Sequence, residues 1–431
     1  MHATTLFPRA GPFLPLAADF LAVPIIQPRP RACPPRKLAD KPETWFFRCM
    51  QAVFLGVAAV VAALLPAQAL GRDWWVYFGT YTGQGSRGIY VSRFDPIRGR
   101  LTPAQLAAEV PNPSFLALDS RRRFLYAVSE LGNGQGGGGR VAAFAVDAKS
   151  GALRLLNLEA SGGDGPCHVA VDRADRAVFV ANYGSGSVAV LPVDQTGRLG
   201  PSRTVIQHAG SSVHPQRQRG PHAHQVVPSP DGAHLLACDL GLDQVRVYRW
   251  QSRTGRLQAN DPPFLALPPG AGPRHLVFHP NRRWVYILNE LNSTLSLCRW
   301  DRRTGSLEAL ATWSTLPEGV SPKDNTTAEV VIHPNGRFLY ASNRGHDSLV
   351  MFSVDTDSGR LELLGHVSAE GRTPRHFTLD PTGRWCLAEN QNSDRVAVFR
   401  VETGTGRLIF TGHVLSVPRP VCAVFVPVDG R

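Results

Sequence analysis

Two adjacent pairs of residues, Arg274-His275 and Asn289-Glu290, bracket a stretch that reads GPRHLVFHPNRRWVYILNELN. A guanidinium is always charged and offers a planar fork of donors that suits a carboxylate or a phosphate. A carboxylate and an imidazole can carry protons near neutral pH. Together these side chains suit anion binding coupled to proton transfer. The residues between them decide whether they meet. Leu276–Phe278 and Trp284–Leu288 are apolar, β-branched and aromatic runs, separated by a turn at Pro280-Asn281. Such a pattern predicts an antiparallel hairpin, and a hairpin ends where it began. The four side chains are therefore expected at one rim of a sheet.

The hairpin is one copy of a repeat that begins at Asp73. Its first marker is a turn in which a Gly is followed two residues later by Leu. This occurs at Gly99, Gly151, Gly197, Gly255, Gly305, Gly359 and Gly406, each with an acidic or polar residue before it. Gly supplies the positive φ of the turn, and the Asp side chain can bond the turn backbone. The second marker is the opening strand, recurring at Pro113, Pro166, Pro221, Pro273, Thr327, Pro374 and Pro420. Its last copy has no partner downstream, and Trp74–Thr80 resembles the missing one. Repeats of this length with four short strands each predict an all-β fold, a seven-bladed β-propeller. Its closing blade takes an inner strand from the C-terminus and three strands from the N-terminus. No Trp-Asp repeat occurs, and helices should be nearly absent.

A residue present in most repeats is framework, whereas a charge present in one or two needs another reason. His168, His275 and His376 share one position, so a repeated hydrogen bond at the blade end accounts for them. The turn histidines His279 and His333 are read the same way. Arg274 and Arg375 are charged at a position where other repeats are not, and Glu290 and Arg344 face the mouth from neighbouring blades. The competing reading of Glu290 and Arg274 is a structural ion pair across one hairpin. His222 and His224 have the spacing of two ligands on one strand face, but no third ligand is placed to match, so no metal and no cofactor are expected.

The remaining composition restricts the function further. The chain has 431 residues and a net charge of +12, yet no Lys/Arg run or RNA-binding aromatic motif, so no nucleic-acid partner is expected. A basic mouth would instead attract small anions. Residues 1–49, rich in Pro and Arg, read as disordered or as a start codon set too far upstream. Residues 50–69 have a basic flank, an apolar run over Ala52–Leu65 and Ala67-Gln68-Ala69, the layout of a secretory signal. That run is shorter than a membrane span. The mature chain is thus expected from residue 70 to 431, periplasmic or secreted, without lasting membrane association and monomeric, with a cytoplasmic location as the alternative. Cys167, Cys238, Cys298, Cys386 and Cys422 form no CxxC pair, so neither zinc nor a disulfide framework is implied. The Gly-rich 132–139 segment precedes a strand and reads as a flexible loop. No Gly-x-Ser-x-Gly elbow points to a serine hydrolase.

GAGPRHLVFHP…LNELNSTL, GPHAHQVVPSPDG and TTAEVVIHPNGRFLYASNRG resemble the lactonase family of seven-bladed propellers. That family includes bacterial 6-phosphogluconolactonase and the fungal carboxy-cis,cis-muconate cyclising enzyme. The resemblance covers Asp73 to the C-terminus. In the muconate branch a His, two Arg and a Glu form the proposed site, and by motif they fall on His224, Arg274, Arg344 and Glu290. The resemblance implies hydrolysis of a sugar-type lactone, with Glu290 and His224 handling protons and the arginines holding the anion. His222, His168, Arg375, His275, Asn289, Glu329 and Asn343 are the expected substrate contacts, and the partner is a small anionic lactone or carboxylate. Cycloisomerisation and a secreted, non-catalytic binding scaffold remain open as alternatives.

Overall fold

A computed structural model describes residues 72–132 and 138–429. The expected N-terminal extension and signal (1–49 and 50–69) lie outside these residues, as does most of the Gly-rich segment. The described chain folds into seven sheets. Blade 1 holds β5 (Leu116–Leu118), β6 (Phe124–Ser129), β7 (Arg140–Val146) and β8 (Leu153–Ala160). Blade 2 runs from β9 (Pro166–Val171) through β10 (Ala177–Asn182) and β11 (Ser187–Pro192) to β12 (Thr204–Gln207). Blade 3 runs from β13 (Ala223–Pro228) through β14 (His234–Asp239) and β15 (Gln244–Gln251) to β16 (Arg256–Ala266). Blade 4 is the hairpin β17 (Pro273–Phe278) and β18 (Trp284–Asn289) with β19 (Thr294–Asp301) and β20 (Ser306–Ser314). Blade 5 comprises β21 (Thr326–Ile332), β22 (Phe338–Arg344), β23 (Ser348–Val354) and β24 (Leu361–Ser368). Blade 6 comprises β25 (Pro374–Leu379), β26 (Trp385–Asn390), β27 (Arg395–Val401) and β28 (Leu408–Ser416).

The closing blade joins β29 (Pro420–Pro427) to β1 (Trp74–Thr80), then β2 (Gly88–Asp95), as the repeat count required. Its outer strand differs from expectation. It is split into β3 (Arg100–Leu101) and β4 (Gln105–Glu109), both paired with β2. Pro103 lies between them, and proline has no N–H to offer a ladder. Among the described residues the only helical segments are two single 3₁₀ turns, Pro322–Asp324 and Gln391–Ser393, and no helix is long and apolar enough to cross a membrane.

The repeated residues tie blade to blade. All seven marker glycines have positive φ, between 65° and 82°, a conformation that costs a side chain bearing Cβ. The buried hydroxyls of Tyr77, Tyr126, Tyr286 and Tyr340 each donate to the carbonyl of the marker Gly in the next blade, at 2.8–3.2 Å. His279 and His333 bond the Gly336 and Gly383 carbonyls at 2.8 and 2.9 Å, so both turn histidines are framework. Between adjacent sheets lie apolar layers such as Trp284, Tyr286 and Leu297 against Leu339 and Phe352. Burial of these faces is the main force holding the ring closed.

Candidate active site

The inner strands begin at one end of the propeller, and there the strict alternation of a strand breaks. In β17 the register runs Pro273↔Asn289 and then His275↔Leu288, leaving Arg274 as a bulge. The same shift occurs at Cys167 in β9, at His224 in β13 and at Arg375 in β25, and β21 shifts across Ala328-Glu329. A bulge re-aims side chains that the pleat would send to opposite faces. Arg274 and His275 can therefore line one cavity together, as can Arg375 and His376.

All seven blades contribute to that cavity. Ser114, Phe115 and Glu130 come from blade 1, Cys167 from blade 2, His224 from blade 3, and Arg274 and His275 from blade 4. Glu329 comes from blade 5, Arg375 and His376 from blade 6, and Tyr81 and Val421 from the closing blade. Its volume is about 260 Å³ out to the opening, while the clear space, about 10 Å³, admits a single water.

At the edge of the cavity a buried carboxylate is held by three arginines. Glu290 meets Arg217 at 2.5 Å, Arg344 at 2.9 Å and Arg274 at 3.1 Å. Burial opposes its charge, but Arg344, Arg274 and Arg217 prevail and bring its pKa down to about 2. A carboxylate so well neutralised accepts a proton poorly near pH 7. The three ion pairs agree with the competing reading of Glu290 as the partner of the guanidinium groups. Arg344 also donates to the Thr327 carbonyl at 2.7 Å, and burial lowers it to about 9, which leaves it charged at neutral pH.

The histidines differ from one another instead of repeating one bond. His168 lies against Phe115 at 4.0 Å between centroids, and its Nδ1 has no partner. His275 Nε2 receives a hydrogen bond from Arg274 Nη1 at 3.2 Å. A guanidinium only donates, so the ring proton lies on Nδ1, which donates to Glu329 at 3.0 and 3.1 Å. His376 Nδ1 lies 2.8 Å from Glu389, and its Nε2 lies 3.6 Å from Glu329. His224 packs edge-on against Tyr183 and His275, and among the described residues its Nε2 has no hydrogen-bond partner. Burial, then the charge of Arg274, holds His224 well below its ordinary pKa. It is neutral, with a nitrogen free to accept.

The geometry thus brings together His224, Arg274, Glu290, Arg344, His275, His168, Arg375 and Glu329. His222 is at the rim, stacked on Tyr183 at 4.4 Å with Nδ1 bonded to the Tyr183 carbonyl. Asn289 and Asn343, expected as substrate contacts, are buried and bonded to the framework, Asn289 within its blade and Asn343 also across to the end of blade 4. Asn289 donates to Thr294 and Ser296, and Asn343 bonds Thr315 and Ser348. Among the described residues no three His, Cys, Asp or Glu side chains converge as a metal-ligand set. Four further residues were not singled out from sequence. Arg217 sits in the long connection before β13, where no repeat position exists to compare. Tyr81 bonds Glu130 and receives a bond from Arg375, both at 2.9 Å. Glu130 had a signal, since it follows β6 as Glu290 follows β18. Glu389 lies within a strand and reads as an ordinary alternation there.

Residues 75–425 match the family model described as Lactonase, 7-bladed beta-propeller. The chain is 37% identical to a 6-phosphogluconolactonase of Bacillus subtilis over 300 residues, 69% of this chain and 83% of that one. It is 34% identical to a 6-phosphogluconolactonase of Formosa agariphila over 313 residues, 70% of this chain and 84% of the other. Among solved structures, a periplasmic gluconolactonase of Pseudomonas aeruginosa superposes with a TM-score of 0.79 and 39% identity. That match covers 83% of this chain and all (100%) of the other.

Proposed function

The chain belongs to the lactonase family of seven-bladed β-propellers, and from that premise we propose that it hydrolyses a sugar-type lactone at the seven-blade cavity. The observation that supports this reading is the pairing of a neutral His224, whose Nε2 has no hydrogen-bond partner among the described residues, with Arg274 and Arg375 around one small space. Ring opening begins when water adds to the ester carbonyl, and the proton lost by the water needs an acceptor. His224 Nε2 is free to take it. The tetrahedral oxyanion needs fixed positive charge in a water-poor site, and Arg274, with 3% of its surface exposed, supplies it. Glu290 keeps that guanidinium and those of Arg344 and Arg217 from wandering. A sugar ring is larger than the clear space, so it would sit above the floor, toward the opening. Tyr81 and Glu130 are then placed to bond its hydroxyls.

The relatives named 6-phosphogluconolactonase and the periplasmic gluconolactonase suggest two substrates that differ by a phosphate. The apolar run and Ala-x-Ala of residues 50–69 favour the unphosphorylated lactone, because they read as an export signal. N-terminal sequencing of envelope-extracted protein should then begin near Leu70, and recovery of the chain from Met1 would remove that argument. The direct test is proton release from glucono-δ-lactone and its 6-phosphate by the mature protein. The unphosphorylated lactone is expected to be opened at least as efficiently. A kcat/KM more than about tenfold higher for the phosphate, 1.4 kcal/mol of added transition-state binding, would reverse the assignment. Failure to open either lactone would refute the reading itself.

A further inference from the structure

Hydrolysis of a lactone also requires a proton at the departing ring oxygen, which either the imidazole that took the water proton or a second acid must deliver. We propose that Glu329 is the acid that delivers it, held in place by His275 and by the buried pair His376–Glu389. This rests on the lactonase reading above.

The two oxygens of Glu329 have unequal surroundings. Oε1 accepts from His275 Nδ1 at 3.0 Å and from the Val330 N–H at 3.0 Å. Oε2 has only the longer second leg from His275 and a 3.6 Å approach of His376 Nε2, beyond hydrogen-bond length. Oε1 is thus the carbonyl-like oxygen, and Oε2 has room for a proton beside the cavity that Glu329 lines. The neighbouring charges agree. From β17 Glu329 faces Arg274 and His275, from β25 His376, and from β26 Glu389 through that imidazole. β22 offers its Ser342 hydroxyl, which accepts the Glu329 N–H. Arg274 favours the charged form of Glu329 through space, but its ion pair is with Glu290. Glu389 is fully buried, and among the described residues one of its oxygens has no partner and no guanidinium or ammonium bonds it.

Two carboxylates joined through one neutral imidazole in such a place cannot both stay ionised. Burial raises both, and of the two only Glu329 lines the cavity, so the proton the pair retains can reach a substrate through Glu329. The cavity then holds a neutral imidazole, His224, beside a carboxyl pair that retains a proton and reaches the cavity through Glu329, a pairing that fits general acid–base catalysis.

The step balances as follows. A water oxygen bonds the carbonyl carbon, and its proton passes to His224 Nε2. The ring C–O bond breaks, and the ring oxygen takes the proton of Glu329 Oε2. The product leaves as a hydroxy-carboxylate. His224 releases its proton and Glu329 regains one, which cancel, and the one proton that appears per turnover comes from ionisation of the newly formed carboxylic acid. His376 and Glu389 are positioning residues that keep a second negative charge away from Glu329.

The leaving group supplies the test. An aliphatic sugar alkoxide needs an acid, whereas the phenolate of an aryl lactone such as dihydrocoumarin departs without one. In E329Q, kcat for glucono-δ-lactone is expected to fall by about 10²-fold or more with KM within about threefold, while dihydrocoumarin loses less than about threefold. In the wild-type protein the aliphatic lactone should show a falling alkaline limb of kcat that the aryl lactone lacks. That second comparison decides the matter even if E329Q does not fold. Equal losses on both lactones in E329Q, or identical alkaline limbs in the wild type, would overturn the assignment of Glu329 alone. A wild-type protein that opens neither lactone would instead remove the hydrolase reading on which it rests.

Discussion

Replacing Glu290 by Gln is expected to lower the melting temperature by on the order of 10 °C and to raise KM about tenfold, with a smaller change in kcat. The substitution keeps the shape of the side chain but leaves Arg274, Arg344 and Arg217 without their shared anion. Breaking a buried pair from one side costs about 3–5 kcal/mol, and domains of this class lose roughly 2–4 °C per kcal/mol. A pH series gives the same interaction a second reading. The folded carboxyl sits near 2, below its unfolded value of about 4.3. Its contribution is therefore complete above the unfolded value and is lost as pH falls from there toward 2, about 3 kcal/mol in all. The wild type should lose melting temperature over that window, and Glu290→Gln should lack this component. An unchanged melting temperature, with kcat down 10²-fold or more at constant KM, would return Glu290 to the role of base.

Replacing His224 by Gln should do the opposite. The ring makes no ion pair, and its Nε2 has no protein partner among the described residues, so the melting temperature should move by only a few degrees. Loss of the acceptor for the water proton should lower kcat about 10²- to 10⁴-fold. Because the attack on the carbonyl precedes departure of any leaving group, glucono-δ-lactone and dihydrocoumarin should suffer alike. This separates His224 from Glu329, whose loss should spare the aryl lactone. Full activity in His224→Gln would show that water reaches the carbonyl with some other acceptor.

The ring of seven blades was written in local chemistry. Seven glycines need positive φ, alternating apolar runs need a partner face, and an orphan C-terminal strand needs the N-terminal one. Each of these depends on the period-2 pleat and on turn geometry, so each could be read along the chain. The crowding of Arg274, Glu290 and Arg344 at one mouth followed from the same hairpin logic. Their electrostatics did not. Arg217 reaches Glu290 from a connection that has no counterpart in other blades, and it adds a third cation to the two that the hairpin logic placed beside that carboxylate. Alternation alone would also have sent Arg274 and His275 to opposite faces, and only the bulged register turns both into the cavity. Glu329 and Glu389 lie in different blades, and nothing along the chain shows that one imidazole would stand between them. Protonation depends on through-space distance and on exclusion of water. The sequence therefore determined which residues stand at the rim, while closure of the ring decided which of them carry charge and which carry a proton.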